Sequence, residues 1–395
     1  MDSCDVLIGF APLSHNPEAL AAAIAHTRET VLAFSPAATA VVVYPDYLDL
    51  EPSADARWRL LPSSHLMFDP GAPAQSISEG FRAIFDSTKA LGAKACAVIA
   101  SDPSAVTGAW AAGLLQPALQ GGFDLVAPCY ARHPFEGVLN RSVIYPLTRA
   151  LYGKQVRNPL GPDFGLSARL LERVMPLLTS GALRNRLHPL ASLTAEAVTA
   201  GMNVCQSHLG TRIYSSPDDV SSVLVQVMNP LFADVERYAP QWQRVRGSQP
   251  VPEYGQAQFV PNPGSPVDVR RLYESFQIGT RNLRDIWSLV LPPSTLVELA
   301  RMARASAETF RMPDAMWARI VYDFALAWRV RAISRDHLLR AMTPLYLGWV
   351  ASYAREVEQG DYAFVEGRLE ESCMAWESAK SYLVSRWRWP DRFNP

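Results

Sequence analysis

The stretch AVIASDPSAV, residues 97–106, joins an unbroken apolar run to a small-residue turn holding a single carboxylate, Asp102. An apolar run of this length reads as a strand buried on both faces, here 96–100, and the residues at about 105–119 read as a helix. That succession marks the carboxyl end of a parallel strand. In open α/β sheets this edge is where ligands sit.

The same grammar recurs on either side. DVLIGFAPLSHNPEAL opens with a strand at 6–9 and a loop, then a helix with Asn16 as its cap and Pro17 at its first position. ATAVVVYPDYLD gives a strand at 40–44 that ends near Asp46 and Asp49, and GGFDLVAPCY gives one at 125–129. Between them a helix over 75–91 repeats Ile77, Phe81, Ile84 and Phe85 on one face. Strands alternating with helices imply an α/β fold, a parallel sheet covered on both faces. A short helix at 146–152, a helix capped by Ser167, a strand in MNVCQSHL and a long helix from Asp218 or Asp219 follow. Residues 239–266 turn to Gln, Pro and Gly without periodicity, as a linker or wrapping arm does. From 267 onward the pattern is helical, punctuated at Pro292, Pro293, Pro313 and Pro344. The expected domains are a sheet domain at 1–238, the arm at 239–266, and a mainly α-helical C-terminal domain at 267–395.

With 395 residues, 49% of them hydrophobic, and a net charge of −1, the chain has material for a sizeable core and no general electrostatic reason to bind nucleic acid. The five cysteines are scattered, odd in number and never at metal-ligand spacing, so they read as reduced, mostly buried thiols. The start MDSCDVLIGF has no basic segment ahead of an apolar one, and no stretch reads as a transmembrane segment. A cytoplasmic protein is expected, with peripheral membrane contact left open. Dinucleotide, P-loop, zincin and nucleophile-elbow motifs are absent.

Asp102 is placed either to serve a site or to cap the next helix. The segment NRSVIYPLTRALYGKQVRNPLGPDFGLS, residues 140–167, gathers Arg141, Arg149, Lys154 and Arg157 around Asp163, with Gly161 and Gly165 permitting close backbone approach. That concentration points to an anion or polyol site, against the plainer reading of a solvated basic surface. His188 and His208 read more simply as packed or surface residues. The tail SRWRWPDRF reads as an anchor for a C-terminal helix rather than a stacking platform for bases.

Residues 121–174, GGFDLVAPCYARHPFEGVLNRSVIYPLTRALYGKQVRNPLGPDFGLSARLLERV, resemble GT-A glycosyltransferases of the bacterial group that includes mannosylglycerate synthase and glucosyl-3-phosphoglycerate synthase. FRMPDAMWARIVYDFALAW, residues 310–328, is similar to the helical tail of the mannosylglycerate synthase type. The resemblance implies a GT-A fold that transfers a hexose from a nucleotide-diphosphate sugar to a small polar or phosphorylated acceptor. It also implies a divalent cation, Mg²⁺ or Mn²⁺, offsetting charge on the leaving diphosphate. The family's Asp-x-Asp turn falls on Ala100-Ser101-Asp102, so Asp102 alone remains as a metal residue.

On this reading Asp163 and Arg149 are catalytic, Asp163 orienting a hydroxyl and Arg149 offsetting phosphate charge. Asp102, Ser101, Asp46 and Arg157 bind the donor, and Asn140, Tyr145, Gly161 and His188 the acceptor. Other family positions depart as well. The first loop reads GFAPLSHN, the lysine-bearing turn becomes DPGAPAQSISEG, a Gly-Ile-Asp helix start falls on His188-Pro189-Leu190, and a metal-binding histidine falls on Tyr214. The alternative is a non-catalytic homologue, a binding or scaffold partner in a homo-oligomer or beside an active relative.

Overall fold

The computed structural model describes residues 3–12, 14–66, 74–179, 188–212, 219–260 and 267–389, with the backbone alone at 74–78, 178–179 and 188–191. The expectations placed on Asp218, on Tyr214 and on the end of the tail lie outside the described residues.

The apolar runs become strands β1 (Val6–Phe10), β2 (Ala40–Pro45), β3 (Trp58–Ser63), β4 (Ala95–Ile99), β5 (Leu125–Ala131), β6 (Phe164–Ser167), β7 (Val204–Thr211) and β8 (Glu253–Tyr254). Numbered along the chain, the helices are α1 (Pro17–Phe34), α2 (Ala74–Ala90), α3 (Gly108–Gln120), α4 (Tyr145–Tyr152), α5 (Ala168–Thr179), α6 (His188–Thr199), α7 (Val220–Arg237) and α8 (Ala239–Trp242). They continue with α9 (Val269–Asn282), α10 (Arg284–Ser288), α11 (Pro293–Met302), α12 (Asp314–Val330), α13 (Arg335–Ala341), α14 (Thr343–Val357) and α15 (Tyr362–Arg388). The expected caps are made. Asn16 accepts from the Ala19 N–H at 3.1 Å, Ser167 from Leu170 at 3.2 Å, and Asp219 from Ser221 at 2.9 Å.

The chain divides into two compact units, one of residues 1–131, 156–213 and 250–258, the other of 132–155, 214–249 and 259–395. The first is an α/β unit built on one sheet in the order β3-β2-β1-β4-β6-β5-β7-β8. Its sheet is mixed rather than wholly parallel, because β6 runs antiparallel to both β4 and β5. Phe164, the first residue of β6, pairs with Val98 near the end of β4, so the chain enters at the carboxyl edge and must run back.

Alternation along β1 sends Val6, Ile8 and Phe10 to one face, with Leu20, Ile24, Trp110 and Leu114 of α1 and α3. Leu7 goes to the other face, with Phe81, Phe85, Leu166 and Leu170. Gly165 lies where α3 crosses the sheet, and a Cβ there would stand 2.1 Å from the Leu114 carbonyl oxygen. A Cβ at Gly161 would stand 2.1 Å from Pro128 Cγ. Both glycines therefore admit a close approach of the protein to itself, where the sequence suggested the approach of a ligand.

The second unit is helical. Residues 132–155, grouped from the sequence with the sheet domain, belong to it, because α4 is buried along its whole length. Trp317 Nε1 donates to the Ser142 carbonyl at 2.8 Å, and Lys380 Nζ donates to the Ala150 carbonyl at 2.7 Å, closing the end of α4. Helix α7 joins the same unit, where Trp328 Nε1 donates to Asn229 Oδ1 at 3.0 Å. The boundary expected at 238 is thus replaced by an interleaved one. The arm is divided too, since residues 250–258 return to the sheet unit and place β8 beside β7. In the tail, Trp387 is buried against Trp242 at 5.3 Å between ring centres and lies under Arg329, so it docks as expected. All five cysteines are free, four of them buried and Cys129 partly exposed. Among the described residues no helix is long and apolar enough to cross a membrane.

Candidate functional site

In the order β3-β2-β1-β4, the chain leaves β1 toward β2 on one side and returns as β4 on the other. The strand order reverses there, and the carboxyl ends of β1 and β4 form the switch point beside which open α/β sheets take their ligands. Asp102 follows β4, and Ser14 lies in the loop after β1. Ser14 Oγ donates to Asp102 Oδ2 at 2.7 Å, and the Ser104 N–H donates to Oδ1 at 2.9 Å. Asn16 Nδ2 donates to Ser104 Oγ at 3.2 Å, a second tie between the two loops.

Asp102 also caps a single 3₁₀ turn, Pro103–Ala105. Both readings of this residue therefore meet in one side chain. Burial pushes its carboxyl up, but the Ser14 hydroxyl and the Ser104 N–H outweigh it and hold the group below the usual carboxylate range. Asp102 is consequently an ionised, partly exposed acid at the switch point. Asp46 is exposed just past the end of β2, and the neighbouring Tyr47 packs its ring 4.7 Å from that of His15.

Beneath the turn the arrangement differs from expectation. Asp163 is fully buried and accepts from the Ala100 N–H at 2.8 Å, the Ser101 N–H at 2.9 Å, the Ser101 hydroxyl and the Tyr130 hydroxyl. Four donors occupy a carboxylate's lone pairs, so Asp163 braces the turn that presents Asp102 and offers no oxygen to a substrate. Ser101 is buried with it. The Arg157 N–H donates to Gln206 Oε1 at 3.0 Å, and Gly161 lies against Pro128 as described above. His188 begins α6, and its side chain lies outside the described residues.

Asn140, Tyr145 and Arg149 belong to the helical unit. Arg149, 3% exposed, donates from Nε to Glu377 Oε1 at 2.7 Å and to Ser248 Oγ at 3.0 Å. Its Nη2 donates to Glu370 Oε1 at 2.6 Å, and its Nη1 to the Tyr145 hydroxyl at 3.3 Å. This guanidinium holds α4 to α15 and is matched by two carboxylates of its own unit, which replaces the expected phosphate contact. Tyr145 packs with Leu369 and Cys373, and Asn140 opens a π-helical turn, Asn140–Ile144.

Among the described residues of this turn a divalent cation would find one free carboxylate, that of Asp102. A hard cation takes several oxygen ligands, whereas Asp102 is the one acid on its turn and Asp163 is enclosed. Among the described residues no group of three or more His, Cys, Asp or Glu side chains could hold a metal. Sequence reading missed Ser14 and Tyr130. Ser14 becomes visible once the strand order names the loop after β1, whereas Tyr130 depends on β5 lying beside β6 and has no local signal.

No family model matches the sequence, and no curated protein is a significant match. Among solved structures, glucosyl-3-phosphoglycerate synthase from Mycobacterium tuberculosis in complex with Mn²⁺, UDP-glucose and phosphoglyceric acid is 17% identical, over 60% of this chain and 80% of that one, with a TM-score of 0.35. The same enzyme with phosphoglyceric acid is 18% identical, over 59% of this chain and 80% of that one, with a TM-score of 0.36. Likeness this slight transfers no function.

Proposed function

We propose that the chain is a glycosyltransferase of the GT-A type, binding a nucleotide-diphosphate hexose at the β1/β4 switch point and transferring the sugar to a small polar or phosphorylated acceptor. The observation that carries the reading is the Ser14–Asp102 pair, an ionised acid and a hydroxyl joining the loops after β1 and β4 at the switch point where open α/β sheets take their ligands. The sequence resemblance supplies the ligand class.

In this reading Asp102 accepts hydrogen bonds from a ribose or sugar hydroxyl. Asp163 acts through the turn it braces and is a positioning residue. Asp102 with the donor's diphosphate oxygens could share a divalent cation, so the test includes Mg²⁺, Mn²⁺ and EDTA. A second reading, a non-catalytic relative that only binds the donor, is favoured by the internal engagement of Asp163 and Arg149.

Release of nucleoside diphosphate from UDP- and GDP-hexoses, with phosphorylated and neutral acceptors and with Mg²⁺, Mn²⁺ or EDTA, separates the two. The transferase reading expects acceptor-dependent release that falls by roughly tenfold or more in Asp102→Ala, the loss of one charge-assisted hydrogen bond. Donor binding without release in any mixture supports the non-catalytic reading. Release unchanged by Asp102→Ala removes the switch-point assignment.

A further inference from the structure

On the face of the sheet opposite α3, near its carboxyl edge, three chemically complementary side chains meet from three strands. Cys129 of β5 and His208 of β7 are direct partners in the parallel ladder. His208 Nε2 lies 2.9 Å from Glu253 Oε2 on β8. Glu253 is itself fixed by Gln206, whose Nε2 donates to Oε1 at 2.6 Å. The acid thus orients the ring through Nε2, and Cys129 meets the same ring from the neighbouring strand, the grouping of a thiol beside an imidazole that a third group holds in place. The register shifts immediately after Cys129, a bulge of the kind that re-aims a strand's side chains.

We propose that Cys129 is a nucleophilic thiol, with His208 as its proton partner and Glu253 as the group that positions His208, and that it takes soft electrophiles in a covalent modification. The ring's affinity for a proton is consistent with this role. Contact with Cys129, more than that with Glu253, raises His208 to about 9 against the opposing effect of burial. Access is selective as well, because Cys129 is partly exposed while Cys4, Cys96, Cys205 and Cys373 are buried. In the reaction the sulfur forms a bond to the electrophilic carbon as the thiol proton leaves, to the imidazole where the ring is neutral and otherwise to solvent. The carbon–halogen bond of an iodoacetyl reagent breaks, and iodide leaves with the electron pair.

The test treats the full native chain with iodoacetamide and with iodoacetate at one neutral pH, then locates the label by peptide mass spectrometry. Cys129 should be labelled first, roughly tenfold or more faster than in His208→Gln, with a smaller loss of rate in Glu253→Gln. A positive ring beside the sulfur also favours the anionic reagent, so the iodoacetate-to-iodoacetamide rate ratio should fall in His208→Gln. A mere change in access moves both rates together. Labelling of Cys129 at equal rates in wild type and His208→Gln overturns the proposal, as does an unchanged ratio or earlier labelling of another cysteine.

Discussion

Replacing Asp163 by alanine is expected to lower the unfolding free energy by about 3–5 kcal/mol, read as a fall in the urea midpoint with the slope unchanged. The carboxylate serves the Ala100 and Ser101 N–H groups and the hydroxyls of Ser101 and Tyr130. Alanine leaves the two fixed N–H groups without an acceptor where water does not reach, at about 1–3 kcal/mol each, while the two hydroxyls can turn to other acceptors. Asp163→Asn keeps one acceptor oxygen and should lose less. A loss below about 1 kcal/mol for the alanine variant, within the range of ordinary surface changes, contradicts the brace. Because the braced turn carries Asp102, donor affinity should fall together with stability.

Arg149→Met is expected to cost about 2–4 kcal/mol while leaving donor affinity unchanged. Removing one partner of a buried ion pair typically costs about 3–5 kcal/mol, and the lower figure allows for solvent at Glu370, whose side chain is 51% exposed. Glu377, 21% exposed, is the carboxylate left with less water to replace the guanidinium. The paired readouts separate two roles. Stability lost with binding intact is the signature of a pin between α4 and α15, whereas binding lost with stability intact restores the phosphate contact expected from the sequence.

The comparison of sequence with structure follows the range of the forces involved. Strands β1, β2, β4 and β5 and the caps Asn16, Ser167 and Asp219 are local, since each depends on a few consecutive residues, and they were legible. The antiparallel β6 was not. Nothing local marks its four residues as a strand, Ser167 reading as a helix cap, and its direction is set by the edge at which the chain enters the sheet. Asp102 was located correctly at a strand end, and the structure adds the partner Ser14 from 88 positions away.

Asp163 and Arg149 stand out in the sequence because cations gathered near one acid in a glycine-bearing segment suggest a ligand. Their partners, Tyr130 for the first and Glu370 and Glu377 for the second, lie far away in the sequence. A buried charge with an internal counterpart and one waiting for a ligand look the same along the chain. His208 was passed over for the same reason, since Cys129 and Glu253 reach it only through the register of three strands.

The most direct measurement is calorimetric titration of the intact chain with UDP- and GDP-hexoses in Mg²⁺, in Mn²⁺ and in EDTA, repeated for Asp102→Ala and Ser14→Ala. The switch-point account predicts saturable one-to-one binding of at least one donor, weakened by roughly tenfold or more in Asp102→Ala and less in Ser14→Ala. Absence of heat with every donor, or equal affinity in all three proteins, contradicts it.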